Sequence, residues 1–157
     1  MAKRFVFRLE TLLKVRRQRE ERQKRVVAER LRQISRVRTE IDTLQERITE
    51  QVGAMRAEVS RPSIDVVSVV RNRHWLSHLH QGRLAAESHL HVLEARLAQE
   101  RAVLAQASRE KKVLEKLKER QHDRYNRELE RKELNEADEL GTARYVRAQG
   151  SDGFAGS

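Results

Sequence analysis

Apolar residues recur every seven positions along most of this chain, and the recurrence breaks once, around its single proline, Pro62. One series runs Leu13, Glu20, Val27, Ile34, Ile41, Ile48 and Met55, with a companion Leu9, Arg16, Gln23, Arg30, Val37 and Leu44. Beyond the proline a second pair begins: Leu76, Arg83, Leu90, Leu97, Leu104 and Lys111, with Leu79, Ala86, Leu93, Glu100, Ala107 and Leu114. A seam that recurs every ~3.5 residues keeps one stripe of a helix turned toward a partner helix along its whole length. From Val27 to Met55 the seam is apolar except at Arg30, and from Leu76 to Leu104 except at Arg83 and Glu100.

Pro62 lacks a backbone donor and drives Arg61 out of the α region, so Ser60–Ser63 ends one helix before another begins. The pattern predicts helix one over about 5–59, a bend over about 60–64 and helix two over about 65–146, with Ser63 or Asp65 as N-cap. At ~1.5 Å per residue these are roughly 80 and 120 Å long. A short connection between two such seams gives an all-α fold, an antiparallel coiled-coil hairpin in a single domain. Folding at Pro62 pairs residues whose numbers total about 124, which sets Ile48 near Leu76, Ile34 near Leu90 and Val27 near Leu97. The expected core is Val27, Ile34, Val37, Ile41, Leu44, Ile48, Leu90, Leu93, Leu97 and Leu104. Helix two then overhangs, and Gln149–Ser157, with three glycines, reads as a disordered tail. A parallel dimer in which two chains satisfy each seam separately is the competing arrangement.

Composition narrows the chemistry. The 157 residues include 34 Lys and Arg against 24 Asp and Glu, a net charge of +10, and only 4% are aromatic, too few for a layered globular core. Cysteine is absent, which excludes disulfides, thiolate metal sites and a cysteine nucleophile. The start has only Phe5-Val6-Phe7 before Arg8, short of a signal-peptide core, and no run approaches the ~18 apolar residues of a membrane span, so the chain reads as cytoplasmic. The basic balance favours an acidic partner: nucleic acid, anionic lipid or an acidic protein surface.

A two-helix hairpin offers no dry interior for catalysis, and no glycine-rich phosphate loop, nucleophile elbow or His-Glu-x-x-His pair is present, so the reading is of a non-enzyme without cofactor. His74 and His78 have metal-sharing spacing, but no third ligand shares their face and no metal site is assigned. Lys14–Arg25 carries seven basic residues against Glu20 and Glu21, with polar seam positions. It reads as a weakly zipped, positive end or as the basic region of a nucleic-acid-binding zipper, although it lacks the Asn and Ala pattern of that class. Arg109–Glu133 mixes ten basic and seven acidic residues at spacings that suit a solvated helix. Trp75, the sole tryptophan, suits either core or a partner anchor.

The opening Phe5-Val-Phe-Arg-Leu-Glu-Thr-Leu-Leu-Lys-Val-Arg-Arg-Gln-Arg-Glu-Glu-Arg-Gln-Lys resembles the flagellar export protein family FliJ. So do Arg109-Glu-Lys-Lys-Val-Leu-Glu-Lys-Leu-Lys-Glu-Arg and Arg131-Lys-Glu-Leu-Asn-Glu-Ala-Asp-Glu-Leu, giving a likeness over about 5–144. The chain has Leu134-Asn135-Glu136 where such proteins often carry Leu-Asp-Glu. The resemblance implies a stalk and adaptor of the bacterial flagellar type III export apparatus, peripheral to the inner membrane. Its implied partners are the hexameric export ATPase, the cytoplasmic side of an export-gate membrane protein and export chaperones, without direct nucleic-acid binding. On that reading Arg16, Arg17, Arg19, Arg22, Lys118, Arg120 and Arg124 face the ATPase ring, and Trp75, Leu76, Leu79 and Gly82 face the gate. The injectisome stalk and a basic nucleic-acid-binding coiled coil are the alternatives.

Overall fold

The computed structural model describes residues 3–153, without the side chain of Asp152, and contains two α-helices: α1, Glu10–Val59, and α2, Val66–Asp152. No strand occurs among the described residues. The two helices pack against one another antiparallel, as the seams require.

The bend is built by local hydrogen bonds around Pro62. Ser60 donates from its amide and from its hydroxyl to the Arg56 carbonyl, closing α1. Asp65 is the N-cap of α2: its carboxylate accepts the Val67 amide at 3.1 Å, and its carbonyl accepts Val69 N–H, satisfying donors that a helix start otherwise leaves open. Ser63, the other candidate, makes no such bond.

By compactness the chain divides into two units, one of residues 18–108 and one of 1–17 with 109–157. In the first, Val27, Ile34, Val37, Ala86, Leu93 and Leu97 form a buried cluster, with Ile41, Leu44, Leu90 and Leu104 packed against it and Ile48 and Leu79 also buried. All ten residues of the expected core are therefore buried or half-buried. The second unit has a core of its own, in which Phe5, Phe7 and Leu117 join seam residues Leu9, Leu13 and Leu114. Phe7, Leu13 and Leu114 are buried, with Leu13 at 0% exposure, and Phe5, Leu9 and Leu117 pack around them.

Two boundaries differ from the expectation. Helix α1 begins at Glu10, not near Phe5, because Phe5 and Phe7 leave the helical path to cover α2: the Phe5 ring meets His122 edge-on at 5.0 Å and Tyr125 at 5.6 Å. The Tyr125 hydroxyl donates to the Lys3 carbonyl. The end carrying Lys14–Arg25 is thus not unzipped throughout, since an aromatic and leucine plug precedes the basic run. Helix α2 continues to Asp152, so Gln149–Asp152 is helical, and 154–157 lie outside the described residues.

The register also shifts. Cross-helix side-chain partners total 126 to 132, as in Arg16 with Glu110, Gln45 with Arg83, Arg30 with Glu100 and Arg38 with Glu94, not 124. The connection is centred between Val59 and Val66 instead of on Pro62, and helical side chains lean toward their own N-terminus. In antiparallel helices the two leans add, displacing each partner by about two residues. Long arginine and glutamate side chains reach further still.

Leu93, 2% exposed, sits in the larger core, whereas Leu134 lies in the exposed overhang. Leu93→Ala should cost about 2–5 kcal/mol in denaturant unfolding followed by circular dichroism, and Leu134→Ala less than about 0.5 kcal/mol.

Candidate interaction surfaces

The unit formed by 1–17 and 109–157 presents its charge in pairs. Arg16 bonds Glu110, Arg17 Nε lies 3.4 Å from Glu115, and Lys118 Nζ lies 2.8 Å from Glu10. Arg16 occupies a seam position, where its aliphatic stem covers the groove while its guanidinium reaches the edge. The hydrogen bond from Lys118 holds the Glu10 carboxyl below its ordinary range. Of the basic residues predicted to face a ring, Arg16, Arg17 and Lys118 therefore tie the helices together. Arg120 and Arg124 are exposed and make no ion pair among the described residues. Arg19 and Arg22 are exposed in the other unit.

That other unit contains the polar centre of the seam. Glu20 is 4% exposed, and one carboxylate oxygen lies 2.9 Å from Lys24 Nζ, which also meets Glu21 at 3.2 Å. The hydrogen bond that Lys24 donates to Glu20 raises its ammonium above the usual range. Arg30 and Glu100, with side chains 19% and 18% exposed, make three hydrogen bonds of 2.7, 3.1 and 3.2 Å in a fork geometry. Gln23 Nε2 donates to the Glu100 carbonyl at 3.3 Å, and Arg30 also reaches Gln33 at 2.7 Å. Arg30 and Glu100 looked, in sequence, like two separate interruptions of two apolar seams. Packing makes them one interaction.

At the bend, Trp75 is 48% exposed and its ring stacks on His78 with centroids 5.6 Å apart. It is a surface residue, not core. Leu76 is half-buried and lines a shallow groove with Val52, Met55 and Val59. Leu79 is 2% exposed and belongs to the interior, which withdraws it from any docking face. Gly82 turns toward Leu44, where an added Cβ would meet the leucine methyls at 3.9 Å, an ordinary contact, so close approach does not require glycine there. Among the described residues no group of three metal-ligating side chains converges, around His74 and His78 or elsewhere, and no helix is long and apolar enough to cross a membrane.

The fold and its surfaces define a helical-hairpin interaction protein, whose exposed charge and exposed apolar residues lie on two paired helices. Its sequence matches the family model described as Flagellar FliJ protein over residues 5–150, spanning both helices and the bend, and the chain belongs to that family. It is accordingly a component of flagellar type III protein export. Comparison with curated proteins and with solved structures found no match.

The polar centre sets a pH dependence. Hydrogen bonding from Arg30 holds the Glu100 carboxyl below its usual value, against a smaller opposing effect of burial. A depressed carboxylate contributes stability that is complete above its unfolded pKa of about 4.3 and is lost as pH falls through its lower folded value. Glu100→Gln should therefore lower thermal stability at pH 7 and flatten the decline below about pH 4. Melting temperatures of both proteins between pH 7 and pH 2 measure this; parallel curves would remove Glu100 from the acid response.

Proposed function

We propose that this protein is a stalk and adaptor that docks in the hexameric flagellar export ATPase, promotes its assembly or activity, and links it to the export gate and to export chaperones. It works on the cytoplasmic side, peripherally associated with the inner-membrane apparatus. The observation that carries the reading is the family match across both helices, taken with a terminal unit that presents exposed basic residues, Arg120 and Arg124 among them. Such charge suits entry into a ring: it meets several subunits by electrostatic attraction, which steers encounter and falls off with salt.

The ion pairs decide which arginines report on docking. Reversing Arg16 or Arg17 would break cross-helix contacts as well as any ring contact, whereas Arg120 and Arg124 are exposed and bridge nothing across the seam. With Arg120→Glu/Arg124→Glu, stimulation of the cognate export ATPase should fall roughly fivefold to tenfold at low salt, with helicity unchanged. Steady-state ATP hydrolysis at low and physiological salt is the measurement, and undiminished stimulation would sink the ring-facing assignment.

For the gate, Trp75 and Leu76 remain as accessible contacts. Trp75→Ala should weaken binding to the cytoplasmic domain of the gate protein by about thirtyfold, as for a central aromatic anchor, and leave ATPase stimulation intact. Titration calorimetry beside the ATPase assay separates the two; equal loss of both would place Trp75 in hairpin integrity instead.

A further inference from the structure

The bend end carries a dense exposed apolar surface. From Ile64 to Val70, five of seven residues are β-branched and apolar, in a chain whose mean hydropathy is −0.83. Val59, Ile64, Val66, Val67 and Val70 are each more than half exposed. Val59 continues this surface into the groove lined by Val52, Met55 and Leu76. Scattered exposed valines need no explanation, but this cluster is contiguous in sequence and opens a helix in which exposed β-branched residues carry a propensity cost.

The charge around it is net positive. Arg56, Arg61, Arg71 and Arg73 form no ion pair among the described residues. The two nearby acids are engaged locally: Glu58 accepts from Asn72 Nδ2 at 2.6 Å, and Asp65 caps Val67. Arginines and a tryptophan thus border an apolar tip whose acids are already committed.

We infer that this end of the hairpin seats in the surface of an anionic lipid bilayer, with Ile64, Val66, Val67 and Val70 entering the acyl boundary and Arg71 and Arg73 at the phosphates. At 100° per residue, Val66, Val67, Val70 and Trp75 spread over about half the helix circumference. A folded protein would need a deep socket to cover so convex a tip, whereas a fluid apolar phase covers every direction at once. The levels along α2 also match. Arg71 and Arg73 stand about 8–10 Å from Val66 and Trp75 about 14 Å. An interfacial element buries its apolar part ~5–10 Å deep, with basic and aromatic residues in the headgroup layer. No span is involved, and the lipid contact is independent of docking to the ATPase.

The test uses the full chain and vesicles of phosphatidylcholine alone or mixed with phosphatidylglycerol, without any protein partner. Trp75, the sole tryptophan, reports without background. The chain should sediment with the anionic vesicles and not the neutral ones, its emission should shift to the blue, and binding should weaken with salt. Val66→Ser/Val67→Ser/Val70→Ser should abolish the blue shift and lower affinity about tenfold with the fold intact by circular dichroism. Arg71→Gln/Arg73→Gln should lower it about fivefold per arginine. Failure to bind anionic vesicles would overturn the proposal in favour of a protein socket for the tip. Binding without a blue shift, untouched by the valine substitutions, would overturn it as adsorption of a cationic chain elsewhere on its surface.

Discussion

Neither helix can bury its own apolar stripe, and everything else in the structure follows from each stripe covering the other. Along Val27–Leu44 and Leu79–Leu104 the coverage is hydrophobic, and its driving force is the removal of leucine, isoleucine and valine from water. Such a seam is tolerant: one heptad slides onto the next at modest cost. The forked Arg30–Glu100 pair is not, because a slip by one heptad would leave both charges in the groove without partners. Hydrophobic burial thus holds the helices together, and one mostly buried ion pair fixes where along their length they meet.

The second core, around Phe7, Leu13 and Leu114, changes how the arginine-rich segment is understood. Charge at Arg16, Arg17 and Lys118 does not stand in for missing packing; it flanks packing supplied by Leu13 and Leu114 together with the aromatic residues before α1 begins. The aromatic start of the chain folds back over α2, and the ion pairs on either side keep that contact in register. Basic residues of this chain's terminal segments therefore sort into those that hold the hairpin and those that meet the outside, a division by partner geometry that composition does not reveal.

At the other end the same physics works in reverse. A bend has no helix beyond it to cover its first turn, so an apolar residue placed there stays in water unless something outside the chain covers it. Asp65 and Glu58 bond a backbone amide and Asn72 instead of an arginine, and against the four local arginines they leave this end net positive. Trp75 projects with its ring on His78, and Leu79, one turn further along α2, is already interior. The boundary between surface and core at this end runs between those two residues.

The heptad pattern and Pro62 by themselves determined an all-α chain of two long helices and put ten residues on stripes that are buried or half-buried in the fold, because periodicity near 3.5 keeps such a stripe turned toward a partner helix. That the partner lies in the same chain was decided by the tertiary structure. The opening and closing segments likewise carried the family. What the tertiary structure decided was pairing: the offset of the register, Arg30 with Glu100, the exposure of Trp75 beside a buried Leu79, and the Phe5–Leu9 cap. Each depends on where a side chain on one helix arrives at the other, through its lean toward its own N-terminus and its reach. Spacing along one strand of sequence measures rotation about a helix, not the level at which two helices meet.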